Sequence, residues 1–298
     1  MISILIPTYN YNVFPLVENL QLQCQKAAIR YEIIVTDDAS NEQGSVSENS
    51  RINSLENCKY QILDENLGRS RIRNLLGDKA NYDWLLFLDA DTFPATDQFI
   101  EKYLEAFSKK TEAVFGGIKY PKIKPEECSL RHKYGTARES LPLHERLKNP
   151  YRSFITMGFA IKKDIFQKIK FNENLAGYGY EDSVFAHQLQ KHDIPIQHIN
   201  NPVLHLNLES NTDFIHKSEL ALQNLLDFHH DASIDSETVK ILKTLTLLKR
   251  WKLLFAVRGF FRMFKNPLLQ NLESANPSIF LFDLYRLGYL STLKHNNA

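Results

Sequence analysis

The sequence predicts an α/β fold with a mostly parallel, Rossmann-like central sheet flanked by helices, followed by a helical C-terminal appendage. Three observations predict it. The runs Ile2-Ser-Ile-Leu-Ile-Pro7, Glu32-Ile-Ile-Val-Thr-Asp37 and Trp84-Leu-Leu-Phe-Leu88 are largely apolar without strict alternation, as strands covered on both faces are. Segments of helical character, Phe14 to Ile29 and Arg69 to Lys79, separate them, so the chain opens as a βαβαβ unit with right-handed crossovers. The run ending at Leu88 is followed by Asp89 and Asp91, at the strand edge where open α/β sheets hold ligands.

Each element has its own justification. Leu16, Leu20 and Cys24 recur at helical spacing in the first helix, and Tyr60 to Leu63 forms a short strand before the second. Further on, Thr96 to Lys109 reads as helix and Ala113 to Lys119 as extended. Pro121 to Pro150 is polar, with few periodic apolar positions, and is expected to be a mobile loop. Phe154 to Ile161 resumes a strand, Lys163 to Ile169 a short helix, and Glu181 to His192 a helix after a Gly177-Tyr-Gly179 turn. The expected organisation is a catalytic domain over residues 1–225, divided into a nucleotide-binding half (1–110) and an acceptor half (111–225), and an appendage over 226–298.

Composition sets outer limits. With 36 basic against 35 acidic residues among 298, nothing in the global charge argues for nucleic-acid binding. Cys24, Cys58 and Cys128 are widely spaced and form no Cys-X-X-Cys pair, which suits a reducing cytoplasm. Met1 runs straight into an apolar segment without a basic leader, and no segment is long enough to span a bilayer, so a protein neither secreted nor membrane-spanning is expected.

The carboxylates point to chemistry. Side chains two apart on a strand face the same way, so Asp89 and Asp91 can both address a hard divalent cation, which prefers oxygen ligands and also binds phosphate. Asp37-Asp38-Ala-Ser40 repeats the pattern at the end of a second buried strand, although Asp and Ser also serve as caps and turn formers. Glu65-Asn-Leu-Gly68 precedes a helix carrying Arg69, Arg71 and Arg73, which brings backbone amides and guanidinium groups where a diphosphate can lie. Glu181 and Asp182 open a helix, where its dipole favours negative charge and is expected to keep Asp182 ionised. An ionised carboxylate can take a proton from an attacking hydroxyl; equally, the two acids could merely complement the helix terminus.

The succession Ile6-Pro-Thr-Tyr-Asn10, Ile34-Val-Thr-Asp-Asp-Ala-Ser40, Glu65-Asn-Leu-Gly68, Ile72-Arg-Asn74 and Leu86-Phe-Leu-Asp-Ala-Asp-Thr92 resembles the family 2 glycosyltransferases of the GT-A fold. Leu175-Ala-Gly-Tyr-Gly-Tyr-Glu-Asp182 resembles the Gly-aromatic-Gly-X-Glu-Asp signature of galactosyltransferase-like members. The resemblance implies a nucleotide site made by Pro7, Tyr9, Asp38, Gly68, Arg73 and Asp89, with a Mn²⁺ or Mg²⁺ ion on Asp91. It further implies Asp182 as the base, Glu181 as the group orienting the acceptor, and His205 at the position of an additional metal ligand. The expected activity is inverting, metal-dependent transfer of a hexosyl or N-acetylhexosaminyl group from a nucleotide sugar, UDP-linked, to a hydroxyl of a glycan or lipid-linked saccharide in polysaccharide synthesis. Ala39 stands where glycine is common in the family, and Tyr178 where tryptophan is common.

Two rivals share some of these features. A nucleotidyltransferase making an activated sugar would carry a Gly-rich basic loop after the first strand, where this chain has Pro7-Thr-Tyr-Asn10. A non-catalytic nucleotide- or glycan-binding protein would have no need of Asp89, Asp91 and Asp182 together.

The appendage adds a separate signal. No acidic residue lies between Glu237 and Glu273, while Lys240, Lys243, Lys249, Arg250, Lys252, Arg258, Arg262 and Lys265 are basic. At helical spacing Leu253, Val257, Phe260 and Phe264 form one face and Arg258, Arg262 and Lys265 an adjacent one. Such a helix can rest on an anionic membrane, here the inner face, or pack on the protein with its basic edge in solvent.

Overall fold

The computed structural model describes residues 1–108, 110–122, 126–173, 179–230 and 239–293. In chain order the elements are β1 (Ile2–Thr8), α1 (Phe14–Lys26), β2 (Tyr31–Asp37), α2 (Gln43–Ser50), β3 (Cys58–Ile62), α3 (Arg69–Lys79), β4 (Trp84–Leu88), β5 (Thr92–Pro94), α4 (Phe99–Ala106), β6 (Ala113–Phe115), β7 (Ile118–Lys119), α5 (Ser129–Arg138), α6 (Leu143–Arg146), β8 (Gly158–Lys162), α7 (Lys163–Lys168), α8 (Glu181–Lys191), β9 (Ile196–His198), β10 (Val203–His205), α9 (Asn211–His230), α10 (Lys240–Arg250), α11 (Leu254–Leu272) and α12 (Ile279–Thr292).

The central sheet has the order β3-β2-β1-β4-β8-β6-β9. β1 is parallel to β2 and β4, pairing Ile4 with Ile33 and with Leu86, and β2 is parallel to β3. β8 runs antiparallel to both β4 and β6, and β9 runs parallel to β6. The expected mostly parallel α/β sheet is therefore present, with β8 as its reversed strand. Ile4, Leu5, Ile33, Val35, Leu86 and Phe87 are buried, which is why these runs show no polar alternation. Phe87, Phe159, Phe166, Phe171 and Phe185 form an aromatic cluster beneath the helices, with the Phe171 and Phe185 rings stacked at 4.3 Å. Burying each such ring contributes about 1.5–3 kcal/mol.

A second, three-stranded sheet, β5-β10-β7, lies past the end of β4. β10 pairs antiparallel with β5, setting His205 opposite Thr92, and the Leu206 amide donates to the Asp91 carbonyl at 2.9 Å. This pairing carries a residue more than a hundred positions downstream to the Asp89-X-Asp91 turn.

The expected mobile loop at Pro121 to Pro150 is corrected by the structure: its described residues contain α5 and α6, with Leu130, Arg131 and Arg146 buried. The Arg146 guanidinium donates to the carbonyls of Phe115, Gly116 and Ile199 at 3.3, 3.2 and 2.8 Å. Buried arginines do here what apolar residues do elsewhere, so apolar periodicity does not report these helices.

In the C-terminal region, α9 crosses the boundary expected between residues 225 and 226. A second core joins Leu130 of α5 and Phe214 and Ile215 of α9 to Phe261, Leu268, Leu272, Phe282 and Tyr285 of α11 and α12. Phe261 lies against Gly288, where a Cβ would meet its ring at 2.4 Å. The stripe by which α11 packs is thus Phe261, Leu268 and Leu272; Phe260 and Phe264, on the apolar face expected from spacing, are exposed.

Ala39 adopts φ +62°, the left-handed region that a Cβ disfavours. Replacing it with glycine relieves this strain at the expense of a more flexible unfolded chain. Ala39→Gly is therefore expected to stabilise the protein by about 0.5–1 kcal/mol in urea denaturation; a loss of stability would contradict the strain.

Candidate active site

Strand ends build the site. Pro7 and Thr8 close β1, Asp38 follows β2, and Asp89 and Asp91 follow β4, so three neighbouring strands deliver their C-terminal residues to one edge of the sheet. There they line a cleft of about 500 Å³ with Tyr9, Gly68, Arg69, Arg73 and His205. Pro7, Tyr9, Asp38, Gly68, Arg73, Asp89, Asp91 and His205, all singled out from sequence, border this one cleft.

Asp38 holds the opposite wall. Its two carboxylate oxygens accept from the Leu67 and Gly68 amides at 2.7 and 2.9 Å, tying the Glu65–Gly68 turn to the end of β2. Asp37 is structural: it accepts from the Ser40 amide at 2.8 Å and the buried Tyr60 hydroxyl at 2.6 Å. Ser40 accepts from the Asn10 amide at 2.7 Å, which fixes the turn that presents Tyr9. Tyr9 itself is 51% exposed at the mouth of the cleft, free to lie flat against a planar ring.

The α3 arginines divide. Arg71 faces solvent. Arg73 is buried and its Nη2 donates to Asp89 Oδ1 at 2.5 Å, while its Nε has no partner among the described residues. Arg69 pairs with Glu181 at 3.2 Å, joining the cleft to α8.

Asp91 remains 29% exposed and meets His205 Nε2 at 3.2 Å. Burial works to raise its carboxyl, but the hydrogen bond and charge of His205, with Arg69, outweigh it and leave the group below its usual range. His205 Nδ1 lies 3.4 Å from both Arg131 Nη2 and the Tyr120 hydroxyl. Arg131 is clamped by Glu139 through two bonds of 3.2 and 3.1 Å and by Glu209 at 3.4 Å, and Glu209 also pairs with Lys217 at 2.8 Å. This buried ionic layer behind His205 escapes sequence reading, because Arg131 sits in the segment without apolar periodicity and its partners are distant in the chain.

The donor set fits a divalent cation. Among the described residues no group of three His, Cys, Asp or Glu side chains is preassembled. Asp91 and His205, one oxygen and one nitrogen donor at the cleft wall, suit an ion that takes its other ligands from phosphate oxygens and water.

Glu181 and Asp182 open α8 beside the cleft rather than lining it. Asp182 accepts a hydrogen bond from Thr156, adjacent to the lining residue Met157. Burial and the neighbouring Glu181 push the Asp182 carboxyl up to about 7, against the ionisation that the helix dipole alone leads one to expect. Gly177 and Tyr178 lie outside the described residues. Gly179 has φ +90°, and a Cβ there would come within 2.6 Å of Ala221. Tyr180, the residue capping α8, has φ +66° and its hydroxyl accepts from Arg286 Nη2 of α12 at 2.9 Å. The C-terminal helix therefore touches the α8 entry, a contact with no sequence signature.

The raised Asp182 carboxyl carries a stability consequence. Between pH 4 and 7 the folded chain retains a proton that the unfolded chain releases, so this residue erodes stability as pH rises through that window. Asp182→Asn is expected to raise the melting temperature at pH 8 and to do so much less at pH 4; an equal effect at both pH values would contradict the assignment.

The profile of glycosyl transferase family 2 matches residues 3–170. Chondroitin synthase from Escherichia coli is 27% identical over 224 residues, covering 64% of this chain and 32% of that protein, so the chain spans about a third of its length. Among solved structures, the mannosyltransferase PcManGT from Pyrobaculum calidifontis, in complex with GDP-Man and Mn²⁺, superposes with a TM-score of 0.59 at 15% identity, over 97% of this chain and 85% of that one. S. aureus TarS 1–349, in complex with UDP-GlcNAc, superposes with a TM-score of 0.52 at 16% identity, over 96% of this chain and 90% of that one. These likenesses establish the GT-A fold.

Proposed function

The chain belongs to glycosyl transferase family 2, and from that premise we propose that it transfers a hexosyl or N-acetylhexosaminyl group from a UDP-sugar to a hydroxyl of a glycan or lipid-linked saccharide, with inversion. The observation that carries the reading is the convergence of Pro7, Tyr9, Asp38, Arg73, Asp89, Asp91 and His205 on one cleft of about 500 Å³, within the size range of small-ligand sites. The catalytic part is residues 1–225, with a nucleotide-binding half (1–110) and an acceptor half (111–225); the helices of residues 226–298, joined to it by α9 and a shared core, serve as an appendage that keeps the enzyme on the cytoplasmic face of a membrane.

In this reading Tyr9 packs on the uracil ring, and Asp38, its oxygens oriented by the Leu67 and Gly68 amides, takes the uracil N–H through a remaining lone pair. Asp89, held by Arg73, faces the ribose. Asp91 and His205 would hold a Mn²⁺ or Mg²⁺ ion, which would supply Lewis-acid stabilisation of the negative charge on the departing diphosphate. Glu181, oriented by Arg69, fixes the acceptor. Asp182 takes the proton of the acceptor hydroxyl while that oxygen bonds to the anomeric carbon; the bond to UDP breaks and UDP leaves with the electron pair. A single displacement of this kind inverts the anomeric centre. An Asp182 carboxyl pushed up to about 7 suits a base working near neutral pH, where matched proton affinity favours transfer.

Two outcomes are expected. Asp182→Asn retains UDP affinity by calorimetry and loses at least about 100-fold in transfer rate, and in the wild type the rate rises with pH through neutrality; an unimpaired mutant rules out the base. Asp91→Ala loses the Mn²⁺-dependent part of UDP affinity, and affinity that is unchanged with and without Mn²⁺ rules out the metal role.

A further inference from the structure

Helix α11 is amphipathic in an unusual sense. Its buried stripe is Phe261, Leu268 and Leu272. At 100° per residue, Phe255, Met263, Phe260 and Phe264 spread over an arc of about 180° away from that stripe. All four are exposed: Phe255 is 75% and Met263 74% exposed, and Phe260 and Phe264, partly covered, lie with their rings 4.7 Å apart. Trp251 and Leu253, just before the helix, are exposed too. Clustered apolar exposure of this kind is uncommon on a soluble protein and marks an interaction site.

Charge identifies the occupant. Residues 238–272 contain eight cations and no acid, and Lys249, Arg250, Lys252, Arg262 and Lys265 are exposed around the apolar arc. A second copy seated face to face would bring these cations against themselves, because a two-fold interface is self-complementary only if its charges are. An anionic bilayer offers both partners at once, a hydrocarbon boundary for the aromatic residues and phosphate headgroups for the cations. Among the described residues no helix is long and apolar enough to cross a membrane, so contact would be in the plane of the interface.

We propose that Trp251, Leu253 and the Phe255–Phe264 arc of α11 form a docking surface for an anionic phospholipid bilayer, inserted at the headgroup boundary and flanked by basic side chains. The purpose of docking rests on the lipid-linked acceptor reading, which it deepens; the docking itself uses none of the transfer chemistry. Because α11 packs on α12, and α12 carries Arg286 to Tyr180 at the entry of α8, docking at this surface links the lipid to the acceptor residues through two packed helices. Acceptors whose saccharide is tethered to a lipid carrier fit that geometry.

Flotation of the full chain with phosphatidylcholine vesicles, with and without phosphatidylglycerol, tests it. Binding to the anionic vesicles alone is expected, weakened by salt, with a blue shift of tryptophan emission that Trp251→Phe abolishes. Phe255→Ser combined with Met263→Ser, both at exposed positions, is expected to weaken vesicle binding about tenfold or more. The circular-dichroism melt and any UDP binding of the double variant should match the wild type, so failure to dock and failure of the transferase reading give different results. Equal or absent binding to both vesicle types, binding indifferent to the double variant, or a light-scattering dimer that the double variant dissociates would overturn the proposal.

Discussion

The buried ion pair between Arg73 and Asp89 is the contact on which the site depends. Arg73 projects from α3 and Asp89 stands where β4 ends, so a 2.5 Å bond fixes the helix against the strand at the floor of the cleft. The Asp89 amide donates to the Met157 carbonyl, and the Asp89 carbonyl accepts from both the amide and hydroxyl of Thr92, which turns the chain into β5. From β5 the pairing passes to β10 and brings His205 to Asp91. Removing Arg73 would leave the Asp89 carboxylate without its cation and beside the charge of Asp182, at a cost of about 3–5 kcal/mol, and the Asp-X-Asp turn would lose its anchor.

Two carboxylates two residues apart thus do different things. Asp89 is neutralised by a protein cation and becomes part of the architecture, while Asp91 stays partly exposed with an imidazole beside it. A different division separates Asp37, satisfied by Ser40 and Tyr60 away from the cleft, from Asp38, which borders it as Asp89 and Asp91 do. Acids at a strand end are sorted by the neighbours each one meets there.

That sorting explains what the sequence makes legible. The uninterrupted apolar runs of β1, β2 and β4 announce buried parallel strands, and the acids that end β2 and β4 announce the edge where a ligand sits, so Asp38, Asp89 and Asp91 can be placed from the residue pattern, whereas Pro7 and Tyr9 come from the resemblance. His205 is legible only by resemblance, since its place follows from a β5–β10 register joining distant segments. Arg131, Arg146 and Arg286 are not legible, because a buried or half-buried arginine paired with carbonyls, acids or phenols looks in sequence like a surface residue. The upward push on the Asp182 carboxyl is hidden for a related reason: the helix dipole is visible in the sequence, whereas the burial and the Glu181 charge that oppose it depend on how α8 is seated. The packing face of α11 is ambiguous because the sequence offers two apolar stripes, and only Phe261, Leu268 and Leu272 find a partner.

A thermal-shift comparison of UDP, UDP-sugars, GDP and nucleoside triphosphates, each with and without Mn²⁺, tests the central claim that this cleft holds a nucleotide sugar through its diphosphate and a cation. Ligands that bind the folded state alone raise its stability increasingly with their concentration relative to Kd. Stabilisation by UDP and one UDP-sugar, requiring Mn²⁺, is the expected result; stabilisation by triphosphates in their place, or by none of these ligands, would contradict the claim.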